Sequence, residues 1–536
     1  MHNTLLIILG LLFIVMMLVL LAQRIKVAYP IFLVVAGLGI SFIPGIPKIG
    51  LDPDVIFLLF LPPLLYEAAW YTSFKDFWKW KRPIALLAFG LVFFTSVIVA
   101  YTSSALIPGC TLALGFLLGG IISPPDAVAA GTVMKGLDTP KRAVTILEGE
   151  SLVNDASSLI VFRFALAAVL TGTFSFQVAV GQFFLAAGMG VVVGLAVAHV
   201  IYAIHRFLPT TPAMDAALTL MTPYIIFLVA EEFHFSGVIA VVTGGLFMSF
   251  RAHEIFTTGD TNITMTSVWT TIIFVMNALV FVLIGLELPN IIAAMDGHYS
   301  IMEGITYGLI ISGITIALRF IWVYPSTHIP RWLSKKIRQE ANPGWKGPLL
   351  VSWAGMRGVV SLATALSIPV LMDDGSAFPL RSLIIFITFV VIFITLVVQG
   401  LTLPLIIKLI RFKELDEELP PEQQQAAIRL RLSRVALQRL QDNYATEVED
   451  NGLLAFFKRD LEEGIQITRE KLDALECDPA ERDDIKQYAT VLRDIYHVQR
   501  KELFKLRSDQ MFSDEEIRRT AMQLSLDELK VSGHEH

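Results

Sequence analysis

The chain has 536 residues, of which 54% are hydrophobic and 17% charged, and its mean hydropathy is +0.64; soluble domains average about 25% charged residues. Two cysteines, Cys110 and Cys477, are too few and too far apart for a disulfide framework. The composition is that of a membrane protein, and it speaks against a secreted disulfide scaffold, a disordered chain and a nucleic-acid binder.

The net charge of −6 hides a division. Residues 1–413 carry 24 Lys and Arg against 20 Asp and Glu, a balance of +4, whereas residues 414–536 carry 18 against 28, a balance of −10. A mildly basic membrane domain (1–413) is therefore expected to precede an acidic, soluble tail (414–536).

Apolar runs of about 20 residues can span roughly 30 Å of hydrocarbon. Thirteen such runs are read, near 4–22, 28–46, 54–72, 83–107, 111–134, 145–171, 177–205, 214–232, 235–250, 267–289, 301–324, 347–371 and 379–410. The first lacks a basic start and a small-residue cleavage site, so it is expected to be a retained helix and not a signal peptide. With the N-terminus outside, the inside loops collect 19 basic residues, among them Arg82, Arg142, Arg331 and Lys346, and the outside loops two, Lys48 and Arg381. Cytoplasmic loops hold the Lys/Arg excess, which predicts a cytoplasmic tail in a chain lodged in the cell membrane. The expected fold class is an all-α membrane protein of about 13 transmembrane helices followed by a cytoplasmic helical tail.

Arg163, Arg319 and Arg357 fall inside apolar runs, as do Glu67, Asp126, Glu150, Asp155, Glu231, Glu232 and Glu287. Ionisable residues at membrane depth are costly, so each marks a candidate functional position. In the fifth run, Pro124-Pro125 removes two backbone donors and predicts a broken helix. Asp126 follows the break, either capping the second half-helix or facing a wet cavity. In the sixth run, Glu150, Ser151, Asn154 and Asp155 converge within about one and a half turns of helix. Carboxylate, hydroxyl and amide oxygens are hard ligands suited to an alkali or alkaline-earth cation. One carboxylate that holds either a proton or a metal ion is the minimal device for exchange. The twelfth run contains Gly355-Met356-Arg357-Gly358, which predicts a second broken helix with a fixed positive charge that offsets half-helix C-termini. With runs 1–6 and 8–13 as inverted six-helix repeats, the two breaks occupy equivalent places and are expected to cross. Arg357 could instead pair with an acid to hold packing.

At these motifs the chain resembles the sodium/proton exchanger family, the electroneutral branch of the monovalent cation:proton antiporters. Gly149-Glu150-Ser151-Leu152-Val153-Asn154-Asp155 resembles the family's ion-site helix, with Asn-Asp where electrogenic relatives carry Asp-Asp. Gly355-Met356-Arg357-Gly358 is similar to its Gly-x-Arg-Gly break, Phe60-Leu61-Pro62-Pro63-Leu64-Leu65-Tyr66-Glu67 to its third helix, and Gly285-Leu286-Glu287-Leu288-Pro289 to the end of its tenth. The resemblance implies a homodimer with a scaffold and a moving six-helix core, working by elevator-like alternation for pH and sodium homeostasis. It implies that Asp155 is shared by Na⁺ and H⁺, that Ser151 and Asn154 support it, and that Asp126 lies near the ion. Glu150 is expected to pair with Arg319, the one arginine of the eleventh helix, because neither charge is cheap alone in the bilayer. The chain departs from the family's Thr-Asp-Pro at Pro125-Asp126-Ala127, which alters the available ligands.

The other positions are less determined. Glu67 reads either as an accessory carboxylate facing the site or as a partner near the end of the third helix. Arg163 reads as an extracellular-side counter-ion, Glu231, Glu232 and His234 as an exterior mouth, and Glu287 as a helix end. In the tail, Asp478-Pro479-Ala480-Glu481 and Ser513-Asp514-Glu515-Glu516 fit helix starts, and Leu430, Val435, Leu437 and Leu440 suggest a helical bundle or dimer contact. No nucleotide-binding loop, metal cluster or nucleic-acid patch is read there, and no cofactor is expected. The sequence predicts a transporter and not an enzyme: one Na⁺, or Li⁺, exchanged for one H⁺. A K⁺/H⁺ antiporter on the same scaffold, and a channel or sensor acting through the tail, are the alternatives.

Overall fold

The computed structural model describes residues 2–43, 53–172, 176–256, 258–295, 299–372, 374–410, 412, 421–477, 481–506, 516–517 and 519–525. Lys48, Arg411, Lys413 and the helix starts expected at 478–481 and 513–516 lie wholly or mainly outside them. The chain divides into two compact units, Met1–Asp416 and Glu417–His536.

The first unit is helical. Its membrane helices are α1 (His2–Arg24), α2 (Tyr29–Ser41), α3 (Pro53–Tyr71) and α4 (Lys81–Leu106). Two half-helices follow, α5 (Leu112–Ile122) and α6 (Ala127–Met134), and then α7 (Lys141–Thr171), α8 (Phe176–Phe207), α9 (Pro212–Glu232), α10 (Gly237–Ile255), α11 (Gly259–Leu286) and α12 (Ile301–Leu333). A second pair of half-helices, α13 (Lys346–Trp353) and α14 (Val359–Leu366), precedes α15 (Arg381–Ile410). Among the described residues each apolar run contains a helix or a pair of half-helices, of which α2 covers only Tyr29–Ser41 of the run near 28–46. Among the described residues nine helices are long and apolar enough to cross a membrane.

Hydrocarbon cannot hydrogen-bond a freed carbonyl, so irregular backbone here needs protein partners. Pro63 removes the donor that would reach Leu59 four residues earlier, and Tyr224 Oη donates to the Leu59 carbonyl at 3.0 Å. A π-helical turn over Leu86–Leu91 in α4, which the periodicity does not foretell, is met in the same way. Its Leu86 carbonyl accepts from Trp322 Nε1 at 2.9 Å and its Ala88 carbonyl from Ser157 Oγ at 2.5 Å.

Two apolar clusters form the interior. The larger draws on α1, α2, the half-helices, α12 and α15, and on the second part of α11 through residues such as Phe281 and Ile284. The smaller draws on α3 and α8–α10 and on the first part of α11 through Trp269 and Ile273. Helix α7 feeds both, with Ile146 and Phe162 in the first and Leu152 and Leu159 in the second.

The second unit comprises α16 (Pro421–Asn443), α17 (Gly452–Cys477) and α18 (Glu481–Leu506), with a short helix at Ala445–Asp450. Ala426, Leu430 and Leu440 of α16 are buried, while Val435 is exposed.

Candidate functional site

The double proline stops α5, whose last carbonyls then lack helical donors. Asp126 restarts the chain: its Oδ1 accepts from the Val128 N–H at 2.8 Å as the N-cap of α6. The second break, Ala354–Gly358, meets the first directly, because the Asp126 N–H donates to the Met356 carbonyl at 2.7 Å. Arg357 completes the crossing. Its Nε donates to the Ile122 carbonyl at 3.0 Å and its Nη2 approaches the Ser123 carbonyl at 3.5 Å, while Nη1 bonds the Gly355 carbonyl. A buried guanidinium thus sits on the C-terminal, negative ends of α5 and α13. Among the described residues the hydrogen bonds of the Arg357 guanidinium go to carbonyls, not to an acid.

Glycine is needed at the crossing for close approach. A Cβ at residue 358 would overlap the Asp126 carboxylate, and one at residue 355 would overlap the Arg319 guanidinium. Gly358→Ala is expected to lower stability by about 1–3 kcal/mol through overpacking. Gly313→Ala in α12, where a new methyl meets nothing within 4 Å, serves as the control. Thermal unfolding of the purified variants decides the point; equal midpoints for the two would refute the tight crossing.

Helix α7 braces the first break. Asn154 Nδ2 donates to the Pro125 carbonyl at 2.9 Å, and Ser151 Oγ accepts from the Ala127 N–H at 3.3 Å. One turn from Ser151, Asp155 is buried, and no hydrogen bond to its carboxylate is recorded among the described residues. The Asn154 Oδ1 is likewise buried without a partner. Glu150, on the next stripe of the same helix, is fully buried and forms a two-pronged pair with Arg319, at 2.7 Å for each N–O contact. Arg319 Nε also donates to the Val351 carbonyl at 3.0 Å, which ties α12 to α7 and α13.

A cavity of about 60 Å³ opens beside the crossing. A water molecule needs roughly 10–15 Å³ of such space, so a few waters or a partly hydrated ion would fit. Asp126, Asp155, Ser151, Asn277 and Ser361 give it polar walls, and Leu61, Leu65 and Phe281 line its apolar side. Neither aspartate is ion-paired among the described residues. Two carboxylates and two hydroxyls around a small cavity are a donor set whose chemistry suits a hard monovalent ion or protons.

Asp126, Ser151 and Asp155 thus come together, while Asn154 stands behind them as a brace outside the cavity lining. Glu67 does not line the cavity although Leu64, Leu65 and Ala68 do. Arg163 forms an exposed pair with Glu231, with contacts of 2.8 and 3.0 Å, and Glu287 ends α11. Three contributors escape sequence reasoning. Asn277 and Ser361 are isolated polar residues in apolar runs, and Thr395 Oγ1 takes the Arg357 N–H at 3.1 Å. The one available signal is that Ser361 follows Arg357 by four residues, one turn along the second break.

Comparison with known proteins places this arrangement. The family described as sodium/hydrogen exchanger, transmembrane, matches residues 10–409. A sodium, potassium, lithium and rubidium/H⁺ antiporter of Bacillus pumilus is 37% identical over 386 residues, which cover 70% of this chain and 57% of that protein. The chain thus spans under three fifths of that relative, and 58% of a Bacillus subtilis relative with the same description. An uncharacterized Na⁺/H⁺ exchanger of Mycobacterium tuberculosis is 30% identical over 521 residues, or 95% of this chain and 93% of its own. The sodium proton antiporter MjNhaP1 of Methanocaldococcus jannaschii shares the fold, with a TM-score of 0.57 at 20% identity over 74% of this chain and 99% of its own. A match that runs through both broken helices and the carboxylates between them makes this chain a member of the sodium/hydrogen exchanger family.

Proposed function

We propose that the chain exchanges one Na⁺, or Li⁺, for one H⁺ across a bacterial cytoplasmic membrane, without net charge movement, in the service of pH and sodium homeostasis. The observation that carries this reading is the cavity at the helix crossing, whose wall the Asp155 carboxylate shares with other oxygen ligands and, among the described residues, with no protein cation. Cation and proton then compete for Asp155: the cation favours its charged form, and burial favours its neutral form when the cation leaves. Ser151 and Asp126 would complete the ion's shell, with Asn154 holding the break in place and Glu150–Arg319 fixing the helices. One exchanging carboxylate supports a one-for-one stoichiometry. The residue before it is an amide already spent on the Pro125 carbonyl, and the other cavity carboxylate is engaged in capping α6.

Access alternates by elevator-like movement of a core that contains the crossing, in a homodimer with its N-terminus outside and its acidic tail in the cytoplasm. The basic inside loops support that orientation. A second reading is K⁺/H⁺ exchange on the same scaffold, favoured by the potassium and rubidium in the description of the two Bacillus relatives.

Purified protein in liposomes with an internal pH dye tests both. Na⁺, Li⁺, K⁺ and Rb⁺ are added in turn, with and without clamped membrane voltage. The expected result is internal pH change driven by Na⁺ and Li⁺ and indifferent to voltage. Flux driven equally by K⁺ would favour the second reading, and voltage-dependent flux would overturn one-for-one exchange.

A further inference from the structure

The first unit holds a second, larger cavity, of about 360 Å³, at the membrane boundary where α4, α7 and α13 begin and α12 ends. Arg82, Arg142, Arg331 and Lys346 line it, one from each of those helices, and among the described residues no acidic side chain does. Arg82 has Glu340 at 3.9 Å, and its Nε is buried without a hydrogen-bond partner. Arg331 bonds backbone carbonyls, those of Glu340 at 2.8 Å and Ala341 at 3.2 Å, which orient a guanidinium without neutralising it. Arg142 donates to the Ala341 carbonyl at 3.0 Å and lies 4.0 Å from the Trp80 ring.

One helix start adds to this positive field. Helices α7 and α13 both begin in the cavity wall, but in the first turn of α13 the Gly347 N–H goes to the Pro343 carbonyl at 3.3 Å and Pro348 has no N–H, which leaves α7, whose N-cap Pro140 supplies no side-chain cap, as the open start. Helix N-termini of this kind favour phosphate and other anions. Leu87, Ile146, Val323, Val351 and Phe412 give the wall an apolar side, and Ser326, Thr327 and Asn342 add uncharged polar groups. Trp78, Trp80, Trp332 and Trp345 lie at the same boundary, as expected at headgroup depth.

Cations, the open start of α7 and an apolar side to the wall together select an anion that carries an apolar arm. We propose that this cavity binds a phosphate ester of that kind, the headgroup of an anionic phospholipid of the leaflet it faces. The occupant would bear on the ion-site scaffold. Val351 lines the cavity and its carbonyl holds Arg319, while Ile146 lies one turn before Glu150.

Thermal unfolding of the full chain in detergent tests this independently of transport. Dioleoylphosphatidylglycerol is expected to raise the unfolding midpoint saturably, and dioleoylphosphatidylcholine and inorganic phosphate are not. Arg82→Gln with Arg331→Gln should weaken the apparent affinity by roughly 25-fold, about fivefold per charge. Ser326→Leu, which fills the cavity from a helical position without changing a charge, should remove the response, and it decides the matter if the arginine variant does not fold. Inorganic phosphate reproducing the shift would overturn the lipid and leave a free-anion site. Equal stabilisation by phosphatidylcholine, or variants that respond like the native chain, would overturn the site itself.

Discussion

Asp155→Asn is expected to abolish cation-driven proton movement in liposomes while leaving the protein folded. The two halves of this expectation rest on different observations. Folding survives because no hydrogen bond to the Asp155 carboxylate is recorded among the described residues, so an amide of the same shape strands no buried partner. The carboxylate at residue 150 is different, because its loss would leave a buried guanidinium alone. Transport fails because the amide neither titrates nor attracts a cation, and proton and metal can no longer displace each other. An unchanged unfolding midpoint with no pH response is the expected pair of results. Undiminished flux would remove Asp155 from the centre of the mechanism and reopen a channel or sensor reading.

Arg319→Ala should act in the opposite sense, through folding. The arginine is fully buried, spans from Glu150 to the Val351 carbonyl, and sits against Gly355 at the second break. Removing one partner of a buried ion pair costs about 3–5 kcal/mol, a large share of the roughly 5–15 kcal/mol that holds a typical protein together. Low expression, a broadened gel-filtration profile and loss of exchange are expected together. Replacing both partners, Glu150→Gln with Arg319→Met, should be better tolerated than Arg319→Ala alone, since no charge is then left without its partner. A stable and active Arg319→Ala variant would show that the pair is dispensable.

The sequence carries the breaks and the pair plainly, because the chemistry of those residues is strong enough to be read without neighbours. Pro124-Pro125 cannot continue a helix, and Gly355 and Gly358 flank an arginine where hydrocarbon would exclude it. Glu150 and Arg319 each need a partner, and the membrane leaves few candidates. Other features depend on which helices meet, which periodicity does not encode. The pairing of Arg163 with Glu231 crosses 68 positions of sequence. Asn277 and Ser361 reach the cavity only because α11 and α14 flank it, and Asn154 turns out to spend its amide on a carbonyl freed by the neighbouring break. The distinction for Glu67 is also tertiary: its neighbours on α3 line the cavity, and it does not.

The crossing is fastened by polar contacts between backbones and a guanidinium, from Asp126 to Met356 and from Arg357 to Ile122. Lipid gives apolar helices little incentive to stay together, but these bonds hold whichever membrane face is wet. The four half-helices would therefore travel as one piece in the proposed cycle, and the slip plane would run along the apolar side of the cavity, which Leu61, Leu65 and Phe281 line. Sliding there exchanges one set of dispersion contacts for another and breaks no hydrogen bond. Bilayer thickness and fluidity, which act on such contacts, would then govern turnover, while ion affinity, set inside the travelling piece, would stay constant from one membrane to the next.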